Sequence, residues 1–369
     1  MMVSLDIIIL ALLVASASAI PGVFLLLRKS AMLSDAISHS ILLGIVLLFF
    51  WLKDIHSPFF IFAAALTGVL TVYLIEVIIQ SKQVKKDAAI GLVFPCFFAL
   101  AIILINLFAR NVHLDQDAVL LGEIAFAPFE RLEVFGRDLG PKASWVMGMV
   151  LLLNTSFVGF FYKELKITTF DKNLALILGI TPGLIHYLLV TLVSITAVVA
   201  FDSVGAVLLV AFMITPAATA TLLSRRLLNV LFISIGVACV SAITGYSVAA
   251  LLDTSIAGAM ATMCGLFFLL AFFLSPTQGL ITRARHQKQK KLEFSAKLLT
   301  IQLLHHENQS EEKSENNINN LLDHMQWTEA FSNKVCKYCL ENQWITQKKT
   351  ALFLTQLGRE IAKVVMKKT

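Results

Sequence analysis

Charge is what this sequence has least of. Asp, Glu, Lys and Arg make up 15% of its 369 residues, against about 25% in ordinary soluble domains. With 57% hydrophobic residues and a mean hydropathy of +0.80, an ordinary soluble protein is excluded. Alternation of apolar and polar residues is missing from the apolar runs, which excludes a membrane β-barrel. The five cysteines give no disulfide framework: Cys96, Cys239 and Cys264 lie in apolar runs, and Cys336 and Cys339 near the C-terminus. That fits a reducing compartment for the C-terminal region. No GxxxxGK[ST] phosphate loop occurs, so ATP-driven work needs a separate ATPase chain. The first apolar run has no basic residues ahead of it and is expected to be a retained span.

What the chain has instead is a series of continuous apolar runs of roughly 20 residues, enough for helices to cross a hydrocarbon core. Nine fall at about 4–27, 31–52, 59–80, 88–109, 143–162, 183–201, 204–223, 228–250 and 256–275. The expected fold over residues 1–280 is an all-α polytopic membrane domain of about 8–9 helices, with the breaks at 28–30 and 201–203 readable as turns or as kinks. Loops 28–30, 81–87, 163–182, 224–227 and the exit after 276 are basic, whereas 53–58, 110–142, 201–203 and 251–255 are mainly acidic. The basic set is therefore expected in the cytoplasm, with the N-terminus outside and the C-terminus inside. The net charge of +6 rests on the tail alone, which from Arg283 onward holds 15 Lys/Arg against 9 Asp/Glu. A neutral membrane body (1–280), a basic juxtamembrane linker (281–291) and a soluble unit (292–369) follow.

Ionisable residues within spans mark ion paths, relays or substrate sites by default. Asp35 and His39 stand four residues apart on one helix face of the second run. A carboxylate with an imidazole suits Zn2+, Mn2+ or Fe2+ better than Ca2+ or Mg2+. The alternative is that the two bond each other and only hold the bundle together. Asp202 reads as a helix cap, and Glu76 as a structural residue reaching toward Lys82. His56 and His113 fall in outer loops, and His186 begins the sixth span.

Three further stretches stand out. Phe170-Asp171-Lys172-Asn173-Leu174-Ala175 through Gly179 has an Asp start signal, a Gly stop signal and Pro182 beyond. Too short to span, it is either a docking helix for a soluble subunit or a helix lying at the lipid interface. Val204-Gly205 through Pro216-Ala217-Ala218-Thr219-Ala220 combines small residues with a proline that removes a helix hydrogen bond, which suits a gate, a kink or a packed seam. The middle of the 110–142 loop, Leu120–Pro128, is expected to dip into the membrane or pack under the bundle.

Taken in order, Asp35-Ala36-Ile37-Ser38-His39 with Gly44, Lys86-Asp87-Ala88-Ala89-Ile90-Gly91, the Phe170–Gly179 helix, Val204-Gly205 through Ala220, and Asp253 to Gly258 resemble the membrane permeases of ABC transporters for zinc, manganese and iron(II). The resemblance spans nearly all of residues 1–280. It implies a permease paired with a second permease subunit, an ABC ATPase on the cytoplasmic side and an extracytoplasmic metal-binding protein. No permanently bound cofactor is implied, only a transported ion. It also implies that Phe170, Asp171, Ala175 and Gly179 belong to the coupling helix and that Asp35 and His39 lie on the metal path. The family commonly carries a Pro near Asp253, where this chain reads Asp253-Thr254-Ser255-Ile256-Ala257-Gly258.

In the tail, 283–291 is a basic stretch suited to anionic lipid. Helices are expected at Leu292–His306, Ile318–Trp327, Thr328–Asn342 and Gln356–Lys368, with a hairpin turning at Lys348-Lys349. That order, with Leu354-Thr355-Gln356-Leu357-Gly358-Arg359-Glu360-Ile361-Ala362, resembles the winged helix of diphtheria-toxin-repressor-type regulators. The resemblance implies DNA contacts at Lys334, Lys337, Lys348 and Lys349, and by association favours manganese or iron over zinc. Glu329 and Glu341 on the same helix, and the scarcity of cations there, argue against nucleic acid. Cys336-x-x-Cys339 near His324 reads as two small core residues ahead of a zinc site. The working reading is an inner-membrane ABC metal permease, not an enzyme. Its rivals are a proton-coupled secondary metal transporter and a membrane-tethered, metal-responsive DNA-binding regulator.

Overall fold

The structure is a computed structural model that describes residues 2–52, 59–108, 124–134, 137–276, 279–307, 325, 327–348 and 351–366. The chain divides into two compact units, Met1–Gly279 and Leu280–Thr369.

The first unit is a helical bundle. Its helices are α1 (Met2–Leu27), α2 (Met32–Leu52), α3 (Phe59–Gln80), α4 (Lys86–Phe108), α5 (Lys142–Phe160), the short α6 (Tyr162–Phe170) and α7 (Lys172–Ile177), α8 (Pro182–Leu223), α9 (Leu227–Leu252) and α10 (Ile256–Leu274). Among the described residues nine segments are long and apolar enough to cross a membrane, α8 contributing two, Pro182–Phe201 and Ser203–Leu223. The halves of α8 are not collinear, because Gly205 breaks the helix at φ 75°, ψ 172°. Ile185 from the first half packs in one cluster with Ala217 and Ala220 from the second, so the chain doubles back. A straight helix would hold those residues roughly 50 Å apart.

α1 is the most enclosed span, and small residues let its neighbours approach it closely. Ala11, Ala15, Ala17 and Ala19 are fully buried on it, and a Cβ on Gly22 would lie 1.8 Å from the Met213 carbonyl oxygen of α8. Asn154 of α5 adds a buried polar tie, donating to the Ala17 carbonyl at 2.8 Å and to Thr196 Oγ1 of α8 at 2.9 Å.

The expectation of helices alone in this unit is corrected between α4 and α5. There β1 (Arg131–Val134) and β2 (Arg137–Pro141) form an antiparallel hairpin. Arg131 bridges Asp138 at 3.0 Å and Asp6 of α1 at 3.2 Å, and Lys142 meets Glu130 at 2.9 Å. Gly140, at φ 91°, and the following Pro141 disfavour a regular helix there. Of the Leu120–Pro128 stretch, Ile124 and Pro128 are buried against the bundle, and 120–123 lie outside the described residues, as do His56 and His113. At the departure near Asp253, that residue ends α9 in the left-handed region at φ 50°, and Ser255 caps α10 through the Gly258 N–H at 3.4 Å.

The second unit holds α11 (Leu280–His305), α12 (Glu329–Glu341), the hairpin β3 (Ile345–Lys348) and β4 (Ala351–Leu354), and α13 (Gln356–Met366). Its core is Ala296, Leu299, Leu303, Val335, Cys339 and the strand residues Ile345, Leu352 and Leu354. The helix expected from Leu292 begins earlier, at Leu280, and includes 281–291, since that Arg, Gln and Lys run holds good helix formers and no Gly or Pro. Burial pushes the Cys339 thiol up to about 12 and raises Cys336, so both stay protonated core residues. The expected Ile318–Trp327 helix and His324 fall almost wholly outside the described residues.

Gly22→Ala is expected to lower the thermal midpoint by the equivalent of about 1–3 kcal/mol or more, the cost of an overpacked seam. Gly91→Ala, where nothing lies within 4 Å, is expected to stay within about 0.5 kcal/mol of wild type. Thermal unfolding of the two purified variants in one detergent checks the contrast.

Candidate functional site

α2 places Asp35 in its first turn and His39 in its second, as an i, i+4 pair. His39 Nε2 lies 3.4 Å from Asp35 Oδ1, with the side chains 24% and 48% exposed. The rest of this stretch is buried inward: Leu33, Ala36, Ile37 and Ile41 belong to the core. The pair is thus turned off the subunit's own core. The imidazole is set between rings of α4, Phe94 at 5.9 Å in a stacked arrangement and Phe98 edge-on at 5.7 Å. Those rings fix the imidazole without consuming its nitrogens. Among the described residues no third Asp, Glu, His or Cys joins the pair.

The pair stands about 10 Å or less, along α2, from the end where the basic loops gather. There Arg28, just after α1, donates to Thr168 Oγ1 at 2.8 Å and to Thr169 Oγ1 at 3.1 Å on α6. Burial lowers its guanidinium to about 10. Lys86, opening α4, donates to the Lys29 carbonyl at 2.9 Å and to Ser30 Oγ at 2.6 Å. Three basic loops separated in sequence therefore meet at one end of the bundle.

α7 lies at the same end. Asp171 is its N-cap, accepting from the Asn173 and Leu174 N–H groups at 3.0 Å each. Ala175 is buried beneath it, while Leu174, Leu176, Ile177 and Leu178 are exposed. Gly179 ends it at φ 76°. The expected extent is corrected at its start: Phe170 closes α6 and α7 begins at Lys172, because the extended Asp171 backbone needed for capping breaks the helix in two.

Glu76 also differs from expectation. It pairs with His186 Nε2 at 2.8 Å and accepts from the Tyr187 hydroxyl, both on α8, instead of reaching toward Lys82. The missed signal was shared depth: Glu76 and His186 each sit at the basic-loop end of an apolar span. Of the residues expected at a gate or kink, Gly205 makes the turn within α8, and Pro216 stays helical, depriving the Phe212 carbonyl of its usual donor. The Asp202 side chain is outside the described residues.

Removing the cap by Asp171→Ala is expected to cost about 1 kcal/mol of local α7 stability. Hydrogen exchange at the Asn173 and Leu174 amides should accelerate several-fold, with the exchange of α1 unchanged.

Comparison with known proteins bears on this geometry. Residues 2–275 match the family described as ABC 3 transport family. The manganese transport system membrane protein MntD of Bacillus subtilis (strain 168) is 47% identical over 271 residues, 73% of this chain and 92% of that protein. The zinc transport system membrane protein TroD of Treponema pallidum (strain Nichols) is 41% identical over 359 residues, 97% of this chain and 98% of that one. A solved structure, PsaBC from Streptococcus pneumoniae in complex with Fab, matches with a TM-score of 0.63 at 30% identity, over 77% of this chain and 94% of that chain.

Proposed function

The chain belongs to the ABC 3 transport family, and from that membership we propose that it is the membrane permease subunit of an ABC importer for a divalent transition metal. Manganese and zinc, named for MntD and TroD, are the favoured cargo ions; iron, expected from the tail, has no counterpart in those two names. The observation that carries the metal path is the Asp35–His39 pair, two ligands of suitable chemistry turned off the core. A mixed carboxylate and imidazole set exchanges first-row cations without the closed cage of a structural site. A second permease subunit supplies the missing ligands.

The charge of the basic loops supports a cytoplasmic position for α7. Its exposed Leu174, Leu176, Ile177 and Leu178 support a role as the coupling helix seated on a separate ATPase. Delivery falls to an extracytoplasmic metal-binding protein. Gly205 and Pro216 give α8 a hinge and a weakened helix turn, the features of a gate. Residues 292–369 are read as a winged-helix-like cytoplasmic unit, supported by α11, α12 and the β3–β4 hairpin around one core, with α13 following the hairpin. Lys334 and Lys337 are exposed on α12, with Lys337 3.9 Å from Glu341; Lys348 ends β3 and Lys349 is outside the described residues. So few cations favour packing or regulation over nucleic acid.

The test is uptake of labelled Mn2+ and Zn2+ into proteoliposomes carrying the permease with its ATPase and binding protein. Asp35→Ala and His39→Ala should each lower ATP-dependent uptake at least about tenfold, with assembly intact. Uptake unaffected by both substitutions sinks the metal-path assignment, and uptake without ATP sinks the ABC mechanism.

A further inference from the structure

The basic-loop end of the bundle encloses a cavity of about 540 Å³ that the transport reading does not use. Arg28, Lys29, Lys86 and Lys172 line it against a single carboxylate, Glu76. Glu76 is already engaged by His186 and Tyr187. Among the described residues none of the four cations has a carboxylate within ion-pair distance. Arg28 donates only to threonine hydroxyls, and Lys86 only to a carbonyl and a serine hydroxyl. These acceptors are neutral, and Glu76 and Asp87 reach Lys86, and Glu76 reaches Lys172, only through space, so the lining keeps a net positive charge. Burial of Arg28, already lowering its guanidinium to about 10, sharpens the need for a counter-charge. The N-terminus of α8, at Pro182 and Gly183, forms another wall, and its first N–H groups lack helical acceptors.

We propose that this cavity binds a phosphate-bearing anion, either free phosphate or the headgroup of an anionic lipid of the adjacent leaflet. A phosphate brings up to about two charges and several acceptor oxygens, which matches three lysine ammoniums converging from different elements. A single carboxylate has too few oxygens to engage Lys29, Lys86 and Lys172 together. Both sources are at hand, since the cavity sits where the helices end. A bound anion ties the α1–α2 turn to the starts of α4, α7 and α8. It therefore stiffens the seat of α7.

The test measures thermal midpoints of the full-length chain, purified in neutral detergent without added anionic lipid, at constant ionic strength. Inorganic phosphate, short-chain phosphatidylglycerol and, as a control, phosphatidylcholine are titrated separately against wild type, Lys86→Gln and Lys172→Gln. Wild type should show a saturable rise, with half-saturation shifted at least about tenfold upward in both variants, the loss of one charge-assisted bond. A response to inorganic phosphate assigns the soluble anion, and one to phosphatidylglycerol but not phosphatidylcholine assigns the lipid headgroup. No rise, a rise matched by chloride, or an equal rise in wild type and variants overturns the proposal. Should Lys86→Gln fail to fold, Lys172→Gln on the exposed first turn of α7 decides alone. Metal uptake plays no part in the readout, so the outcome stands apart from the transport reading.

Discussion

In hydrocarbon a leucine gains little by leaving lipid for a neighbouring helix, so this bundle depends on surfaces that fit closely. The approach of α1 to α8 at Gly22 and Met213 is the tightest expression of that constraint. Around it the small residues of α1 let α5, α8 and α9 gather on one central helix. Polar side chains inside this packing are spent locally. Thr71, Ser194 and Thr196 return their hydroxyls to carbonyls one turn back, whereas among the described residues Ser18 and Ser234 are buried with their hydroxyls unpaired. Asn154 is an exception, spending its amide between helices and fixing three of them at once.

With the interior settled by shape, charge is left to the ends. One end carries Arg131 between Asp6 and Asp138 and Lys142 against Glu130, so among the described residues these charges are paired. The other carries Arg28 and Lys86 on neutral acceptors, so its charge stays available to whatever lies beyond the bundle. That asymmetry is the structural face of the loop charge pattern. It also explains why the α7 seat, built on Thr168, Asp171 and Ala175, is at the electropositive end.

Much of the architecture was legible because membrane spans announce themselves by length and composition. Span positions needed no contact information. Asp35 and His39 were legible too, since an i, i+4 spacing fixes proximity within one helix. Legibility ended where partners come from distant segments. Glu76 and His186 lie 110 residues apart, and no local rule chose His186 over Lys82. The β1–β2 hairpin was hidden because Arg131, Asp138 and Asp6 look like ordinary loop charges until the chain brings them together. The continuity of α11 was missed for another reason: a run of Lys, Arg and Gln reads as linker by charge, although its helix propensity is high.

The incompleteness of the Asp35–His39 site follows the same division between local and distant. One helix face offers two ligands, and a permanent site would draw its remaining ligands from neighbouring helices of the same subunit. Here those neighbours present phenylalanine, not ligands, to His39. Rings on α4 hold the imidazole in place and supply no donor atom, so a cation held by the two proposed ligands alone keeps part of its water shell. On the transport reading that is an advantage. Two facing half-sites bind a cation only when the subunits bring them together, and a small separation of the halves is enough to release it. Affinity is then governed by helix movement rather than by ligand chemistry, and the kinked α8 packed against α2 is placed to deliver such movement.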